Sequence, residues 1–171
     1  MGIMKANHTT KKITVAALMA ALALIFSYIE VLIPFHPGIP GIKLGIANLV
    51  VIICLYDLGP QYALTVNLIR VLAAGLLFNG LFGAAYSLSG ALLSLAVMLL
   101  LKKTGLFSVT GVSMAGGVAH NLGQLLIAAL LISNLKIFVY FPVLIFSGMA
   151  SGALIGILAH LILNKLPASL L

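Results

Sequence analysis

Residues 13–33 read ITVAALMAALALIFSYIEVLI and contain one charged side chain, Glu30. About 20 mainly apolar residues are enough for a helix to cross the hydrocarbon core of a bilayer, so this run is long enough. The whole chain of 171 residues is 63% hydrophobic and 6% charged, with a mean hydropathy of +1.30. Soluble domains carry about 25% charged residues, which excludes a soluble enzyme. The sequence predicts an integral membrane protein.

Five more apolar segments follow this run, separated by proline, glycine and charged residues. Continuous apolar stretches such as residues 95–101 do not alternate as the strands of a membrane β-barrel do. We therefore predict an all-α membrane protein, with six transmembrane helices in one compact bundle and a single domain over residues 1–171. Residues 1–12 are expected to form a basic N-terminal tail. The six segments are residues 13–33, 43–58, 61–78, 83–101, 111–133 and 137–163.

The positive charges lie mostly between the apolar segments, where they indicate orientation. With a cytoplasmic N terminus, six lysines fall on the inner side and only Lys43 and Lys136 fall on the outer side. This excess follows the positive-inside rule and predicts that both termini are cytoplasmic. The net charge of +7 therefore does not indicate a nucleic-acid partner. The six inner lysines are Lys5, Lys11, Lys12, Lys102, Lys103 and Lys165.

The second segment is short, because residues 44–58 give about 22 Å of helix for a core of about 30 Å. Residues 34–43, PFHPGIPGIK, precede it, and their prolines and glycines cannot continue a helix. We expect a loop on the outer side that dips into the bundle and forms a lid or wall for a site. An ordinary tight outer turn is the alternative.

Arg70 is predicted to lie near mid-bilayer, where an arginine costs about 2.5 to 3.5 kcal/mol. It should face the bundle interior, with Glu30 as its partner, either in a binding site or in a purely structural pair. On the fifth segment, His120, Asn121 and Gln124 are expected to share one glycine-rich face and to form a binding wall. A metal site at His120 is disfavoured, because no other ligand stands at metal-binding spacing.

Nine polar residues on five segments all fall between mid-bilayer and the predicted outer face. A cavity open to the outside explains this common depth, and Lys43 and Arg70 against Glu30 favour an anionic or strongly polar small molecule. The predicted substrate-binding residues are Glu30, Lys43, Asn48, Arg70, Tyr86, Ser89, His120, Asn121 and Gln124.

Two small-residue patterns predict close helix packing. The first segment contains Ala16 with Ala20 and Ala17 with Ala21, and the last contains Gly148, Gly152 and Gly156. Each face packs within the chain or docks another subunit.

Several kinds of chemistry are missing from the sequence. There is no ATP-binding loop of the G-x-x-x-x-G-K-[ST] type. Glu30 and Asp57, the two acidic residues, cannot form the carboxylate cluster that holds catalytic Mg²⁺, and Cys54 is a single cysteine inside an apolar run. We predict no enzymatic activity, no catalytic residues, no bound metal and no cofactor.

The blocks PGIKLGIAN at residues 40–48, YSLSG at 86–90 and HNLGQ at 120–124, with Glu30, Pro34 and Arg70, form a known pattern. In them the sequence resembles the Gx transporter family, also labelled heptaprenyl diphosphate synthase component I, over nearly its whole length. That family is similar to the S components of energy-coupling factor transporters, which are six-helix proteins that bind a vitamin or cofactor precursor from outside the cell.

The resemblance implies a substrate-binding subunit in a bacterial cytoplasmic membrane that works with a transmembrane coupling subunit and two ATPases. In S components an Ala-xxx-Ala face of the first helix contacts the coupling subunit; here Ala16 with Ala20 or Ala17 with Ala21 matches it. The cargo would be a vitamin, a cofactor precursor or an isoprenoid or quinone precursor.

Two other functions stay open at this point. One is a non-catalytic membrane partner of a prenyl diphosphate synthase, as the family label suggests. The other is a stand-alone secondary transporter, driven by protons through Glu30 and His120 and packed as a dimer through Gly148, Gly152 and Gly156.

Overall fold

The computed structural model describes residues 2–33 and 45–166, and within these ranges the protein is helical and contains no strand. This confirms the all-α prediction. A π-helix, Gly75–Asn79, extends the third helix, and a 3-10 helix, Leu135–Tyr140, precedes the sixth. The α-helices are α1 Gly2–Leu32, α2 Ile46–Asp57, α3 Pro60–Ala74, α4 Gly80–Thr104, α5 Val109–Ile132 and α6 Phe141–Leu163.

Four segments of the described residues are long and apolar enough to cross a membrane: Thr9–Leu32, Pro60–Thr104, Val109–Ile132 and Leu135–Leu163. Two features explain why this number is lower than the six predicted spans. The helix α2 has only 12 residues, and α3, the π-helix and α4 follow one another with no loop between them. Six spans and cytoplasmic termini therefore stay predictions. Residues 2–12, which we expected as a tail, lie in α1.

The segment Pro60–Thr104 folds back on itself as an antiparallel helical hairpin. Gly80, at the start of α4, has a φ of 67°, a conformation that glycine adopts at little cost. A Cβ on Gly75 would lie 2.4 Å from the Cβ of Ala84, and the Asn67 amide donates to the backbone oxygen of Ala91 at 3.3 Å. Both pairs are nearly symmetric about residue 79, so the chain reverses there.

The helices α4, α5 and α6 pack as consecutive antiparallel neighbours. Gly148, Gly152 and Gly156 of α6 face the backbone of α5, and a Cβ on Gly117 would lie 2.3 Å from the Gly148 oxygen. The glycine face of the last segment is therefore filled by α5 of the same chain. It is not available for the dimer contact considered above.

The core is centred on α2, in which residues 49–55 are all buried. The helix α1 packs onto α2 and α3 through Ala16, Ala20 and Ala23, while Ala17 and Ala21 are exposed. This determines which alanine pair packs within the chain. Many large apolar side chains, such as Leu18 and Ile25 of α1, face outward, as lipid-facing positions do.

Candidate polar site

Arg70 lies in α3 with only 8% of its surface exposed, as its predicted interior position requires. Its Nη2 atom donates to the Asn67 Oδ1 atom at 2.7 Å and to the Asn48 Oδ1 atom at 3.4 Å. Asn67 lies one turn earlier on the same helix, and its amide also donates to α4. Arg70 is thus held between α2 and α3, and Asn67 connects it to α4.

Glu30 is not the direct partner of Arg70 that we predicted. Its carboxylate accepts a hydrogen bond from the backbone N–H of Ile46, in the first turn of α2. The unpaired N–H groups and the dipole at a helix N terminus attract a carboxylate, which explains this position. No direct ion pair joins Glu30 and Arg70 in the described ranges. We call Glu30, Asn48, Asn67 and Arg70 the Arg70 cluster.

A small cavity of about 30 Å³, lined by both polar and apolar residues, lies next to the Arg70 cluster, between α2, α4, α5 and α6. Asn48 belongs to both, because its side chain accepts from Arg70 and also lines the cavity. Glycines 45, 116, 117 and 152 bring the backbone close to the space. The remaining lining residues are Ile52, Ser94, Met98, Ser113, Ser151 and Ile155.

The prediction that His120, Asn121 and Gln124 share one face is wrong for Asn121. Its amide Nδ2 atom donates to the Leu144 backbone oxygen at 2.8 Å and to the Ser147 Oγ atom at 3.3 Å, both on α6. His120 and Gln124 lie against Gly90 of α4. One residue turns a helix by about 100°, so Asn121 points to a different neighbour from His120. Asn121 therefore joins two helices.

The two predicted residues of α4 are Tyr86 and Ser89. Both lie close to Gly90 in the sequence, and neither lines the cavity. The Ser89 hydroxyl donates to the Gly123 backbone oxygen at 2.7 Å, and so joins α4 to α5. Tyr86 is half-buried and lies one turn before Gly90. Of the nine predicted residues, the structure joins Asn48 and Arg70 directly and places Glu30 at the same end of α2. Lys43 and the outer loop of residues 34–43 lie outside the described residues.

Four residues around the cavity and the Arg70 cluster were not among the predicted site residues: Asn67, Ser94, Ser113 and Ser151. Asn67 could have been found from its spacing, because it stands three residues before Arg70 and so shares its face. The serines carry no such signal, since a serine in an apolar helix commonly bonds its own backbone, as Ser151 does with Gly148.

The arrangement offers hydrogen-bond donors and one buried cation, and it lacks the groups of a hydrolytic or metal centre. Within residues 2–33 and 45–166, no three His, Cys, Asp or Glu side chains come together as metal ligands would. Glu30 and Asp57 stand at opposite ends of α2, about 16 Å apart by helix rise. The described side chains of the site therefore offer hydrogen bonds and one positive charge to a polar group.

Comparison with known proteins gives one match. The family model described as heptaprenyl diphosphate synthase component I matches residues 19–162. Neither the curated proteins nor the solved structures gave a match. The matched range includes α2 to α5 completely, and with them every described residue of the Arg70 cluster and of the cavity.

Proposed function

Since the chain belongs to the heptaprenyl diphosphate synthase component I family, we propose that it is the substrate-binding membrane subunit of an uptake transporter of the energy-coupling factor type. In this function it binds a small vitamin, a cofactor precursor or an isoprenoid or quinone precursor, and other subunits supply the energy. The observation that carries the proposal is a buried arginine beside a cavity that serine and asparagine side chains line, in a mainly apolar bundle.

A buried arginine is costly to keep in a membrane protein, and such residues usually serve a substrate or ion pathway. Arg70 is coordinated by neutral amides of two different helices. A single interhelical hydrogen bond would be enough to fix the packing of α2 against α3, and it would not need a charge. A ligand-binding role explains the charge.

In the proposed topology the chain crosses the membrane six times and both termini are cytoplasmic. The antiparallel hairpin of α3 and α4 supports two crossings for the segment Pro60–Thr104. The helix α2 is short, but it lies in the core and not against lipid. Its 12 residues can therefore form one of the six crossings although they are shorter than the hydrocarbon core, because other helices surround them.

We assign the contact with a transmembrane coupling subunit to Ala17 and Ala21 of α1. Both are exposed, whereas Ala16 and Ala20 are buried inside the chain. Small side chains let two helices approach closely, so an exposed pair one turn apart suits a helix of another subunit. That subunit would in turn carry two ATPase subunits.

The proposed subunit is not an enzyme. A reaction that ionises an allylic diphosphate needs Mg²⁺ held by several carboxylates. This chain has two carboxylates, and the length of α2 separates them.

A second candidate function is a non-catalytic membrane partner of a heptaprenyl diphosphate synthase. The observation that favours it is the description of the family itself. In that function the Arg70 cluster would be a structural network, and the exposed face of α1 would dock the synthase or its anchor.

The test is native mass spectrometry of the protein purified gently from its own membranes. We expect a retained molecule of vitamin or cofactor size, together with a coupling subunit and ATPases. A prenyl diphosphate synthase as the partner, with no retained small molecule, would overturn the transporter proposal and favour the second candidate.

The matched variants Ala17→Leu and Ala16→Leu test the docking face. Ala17→Leu should keep the retained molecule and lose the coupling subunit, because it changes only an exposed surface. Ala16→Leu should lower the yield of folded protein, because the residue is buried. If Ala17→Leu retains the coupling subunit at wild-type levels, the assignment of the face is wrong.

A further inference from the structure

Arg70 has hydrogen-bonding capacity that the protein does not use. A guanidinium group carries five N–H donors in a planar fork. In the structure Nη2 donates to the amide oxygens of Asn67 and Asn48. The Nε atom is buried and has no acceptor among the described residues. The Nε atom therefore keeps an unused N–H donor, on a side chain that is 8% exposed.

The cavity is one side chain away from this cation. The Oδ1 atom of Asn48 accepts from Arg70, while its Nδ2 atom lies on the side of Gly45, another residue of the cavity wall. Ser94 and Ser113 add two hydroxyl groups, which can donate. At about 30 Å³ the cavity has room for a group of one or two heavy polar atoms.

The charges around the cavity select the sign of its occupant. The Arg70 cation and the positive end of the α2 dipole both lie beside Asn48, so a metal cation would be repelled there. A carboxylate oxygen already lies at this turn, where Glu30 accepts from the Ile46 N–H. Water could fill the cavity, but it would add no negative charge to that of Glu30 at an end of α2 where the Arg70 cation and the helix dipole are both positive. An oxyanion satisfies both the charge and the hydroxyl donors.

We propose that the cavity receives one or two oxygens of the oxyanion head group of the ligand, a carboxylate or a phosphate, and that Arg70 supplies the positive charge beside it. The proposal rests on the ligand-binding function above and deepens it by naming the chemical class. Hydrogen bonds between an arginine and a carboxylate or phosphate are charge-assisted and are stronger than bonds between neutral groups. The apolar remainder of the ligand lies outside this small cavity.

The test uses inorganic phosphate and acetate as probes on the purified protein in detergent. Thermal unfolding is followed while potassium phosphate or potassium acetate replaces potassium chloride at constant ionic strength. We expect a saturable rise of the unfolding midpoint with at least one of the two anions. The stronger anion identifies the head group: phosphate indicates a phosphate ester, and acetate indicates a carboxylic acid.

Arg70→Gln should need at least about tenfold more anion for the same rise, because it loses a charge-assisted hydrogen bond. Arg70→Lys should lie between the two, since a lysine keeps the charge and loses the fork. Lys103→Gln removes an exposed lysine of α4 and should match the wild type. If Arg70→Gln does not fold, the double variant Ser94→Ala with Ser113→Ala decides, and it too should need more anion.

Equal responses of the wild type, Arg70→Gln and the Ser94→Ala, Ser113→Ala double variant would overturn the proposal, as would a wild type that neither anion stabilises. Such a failure is distinguishable from failure of the proposed function. If native mass spectrometry finds a retained neutral molecule, the protein is a binding subunit and only the oxyanion assignment fails. If it finds no molecule at all, the binding function fails as well.

Discussion

Two cations contact opposite ends of the buried helix α2, and they differ in what they contribute to the fold. Lys102 of α4 donates from Nζ to the Leu55 oxygen in the last turn and lies 4.6 Å from the centre of the Tyr56 ring. Arg70 contacts Asn48 in the first turn. A helix dipole stabilises a cation at its C terminus and destabilises one at its N terminus.

The difference shows which cation serves stability. Lys102 satisfies a terminal carbonyl and neutralises the negative end of α2. Arg70 stands at the positive end, where its charge is unfavourable unless an anion is also present. Glu30 supplies one negative charge at this end, and a bound oxyanion would supply another. We therefore expect Lys102 to serve the fold, and under the proposed function Arg70 serves the ligand.

The largest expected effect comes from disrupting the contact between α5 and α6. A Cβ on Gly117 would lie 2.3 Å from the Gly148 oxygen, so Gly117→Ala forces α5 and α6 apart. We expect a loss of about 1 to 3 kcal/mol in the free energy of unfolding. Gly111→Ala is the control, because its nearest neighbour would be 3.6 Å away, and it should be neutral or stabilising by about 0.5 to 1 kcal/mol. Equal midpoints for the two variants would contradict the α5–α6 contact.

The second prediction tests whether Lys102 stabilises the fold. Lys102→Met keeps an unbranched side chain but removes the hydrogen bond to Leu55 and the contact with the Tyr56 ring. We expect a loss of about 1 kcal/mol, measured by chemical unfolding in detergent. The neighbouring Lys103 is exposed, so Lys103→Met should change the stability by less than about 0.5 kcal/mol. The interpretation of Lys102 fails if the two substitutions have the same effect.

A smaller effect separates packing from binding within α5. Asn121→Ala removes the donor to the Leu144 oxygen and to Ser147. Leu144 still accepts from the Ser147 hydroxyl, so the expected loss of stability is only about 0.6 kcal/mol, a typical value for interhelical bonds in membranes. The retained small molecule should remain at wild-type occupancy in native mass spectrometry. Loss of that molecule at unchanged stability would return Asn121 to the binding site.

The positions of the helices were largely predictable from the sequence, because apolar length and helix-breaking residues determine them. Pro60 lies in the first turn of α3, Gly105 ends α4 with a φ of 68°, and Ser108 caps α5. The helical start of the chain was missed, because the basic residues 2–12 carry no apolar signal for a membrane span.

The site was predictable only in part, because depth in the membrane does not determine which neighbour a side chain faces. Depth correctly placed Arg70 in the interior. It could not separate Asn121, which faces α6, from Gln124, which lies against α4. It also could not assign Glu30 to the backbone of α2, since an N–H group at a helix end competes with an arginine for a carboxylate. The neighbour that each of these side chains faces depends on how its helix is rotated about its own axis.

The most direct test of the central claim is a paired measurement on Arg70→Met, of the free energy of unfolding and of the occupancy of the retained molecule. Replacing a buried charge with an apolar side chain of similar size is often neutral or stabilising. We predict that the stability falls by less than about 1 kcal/mol, because Arg70 stands at the unfavourable end of α2. The occupancy should fall to background. A variant that loses stability as Lys102→Met does, while it keeps the molecule, would show that Arg70 serves the fold.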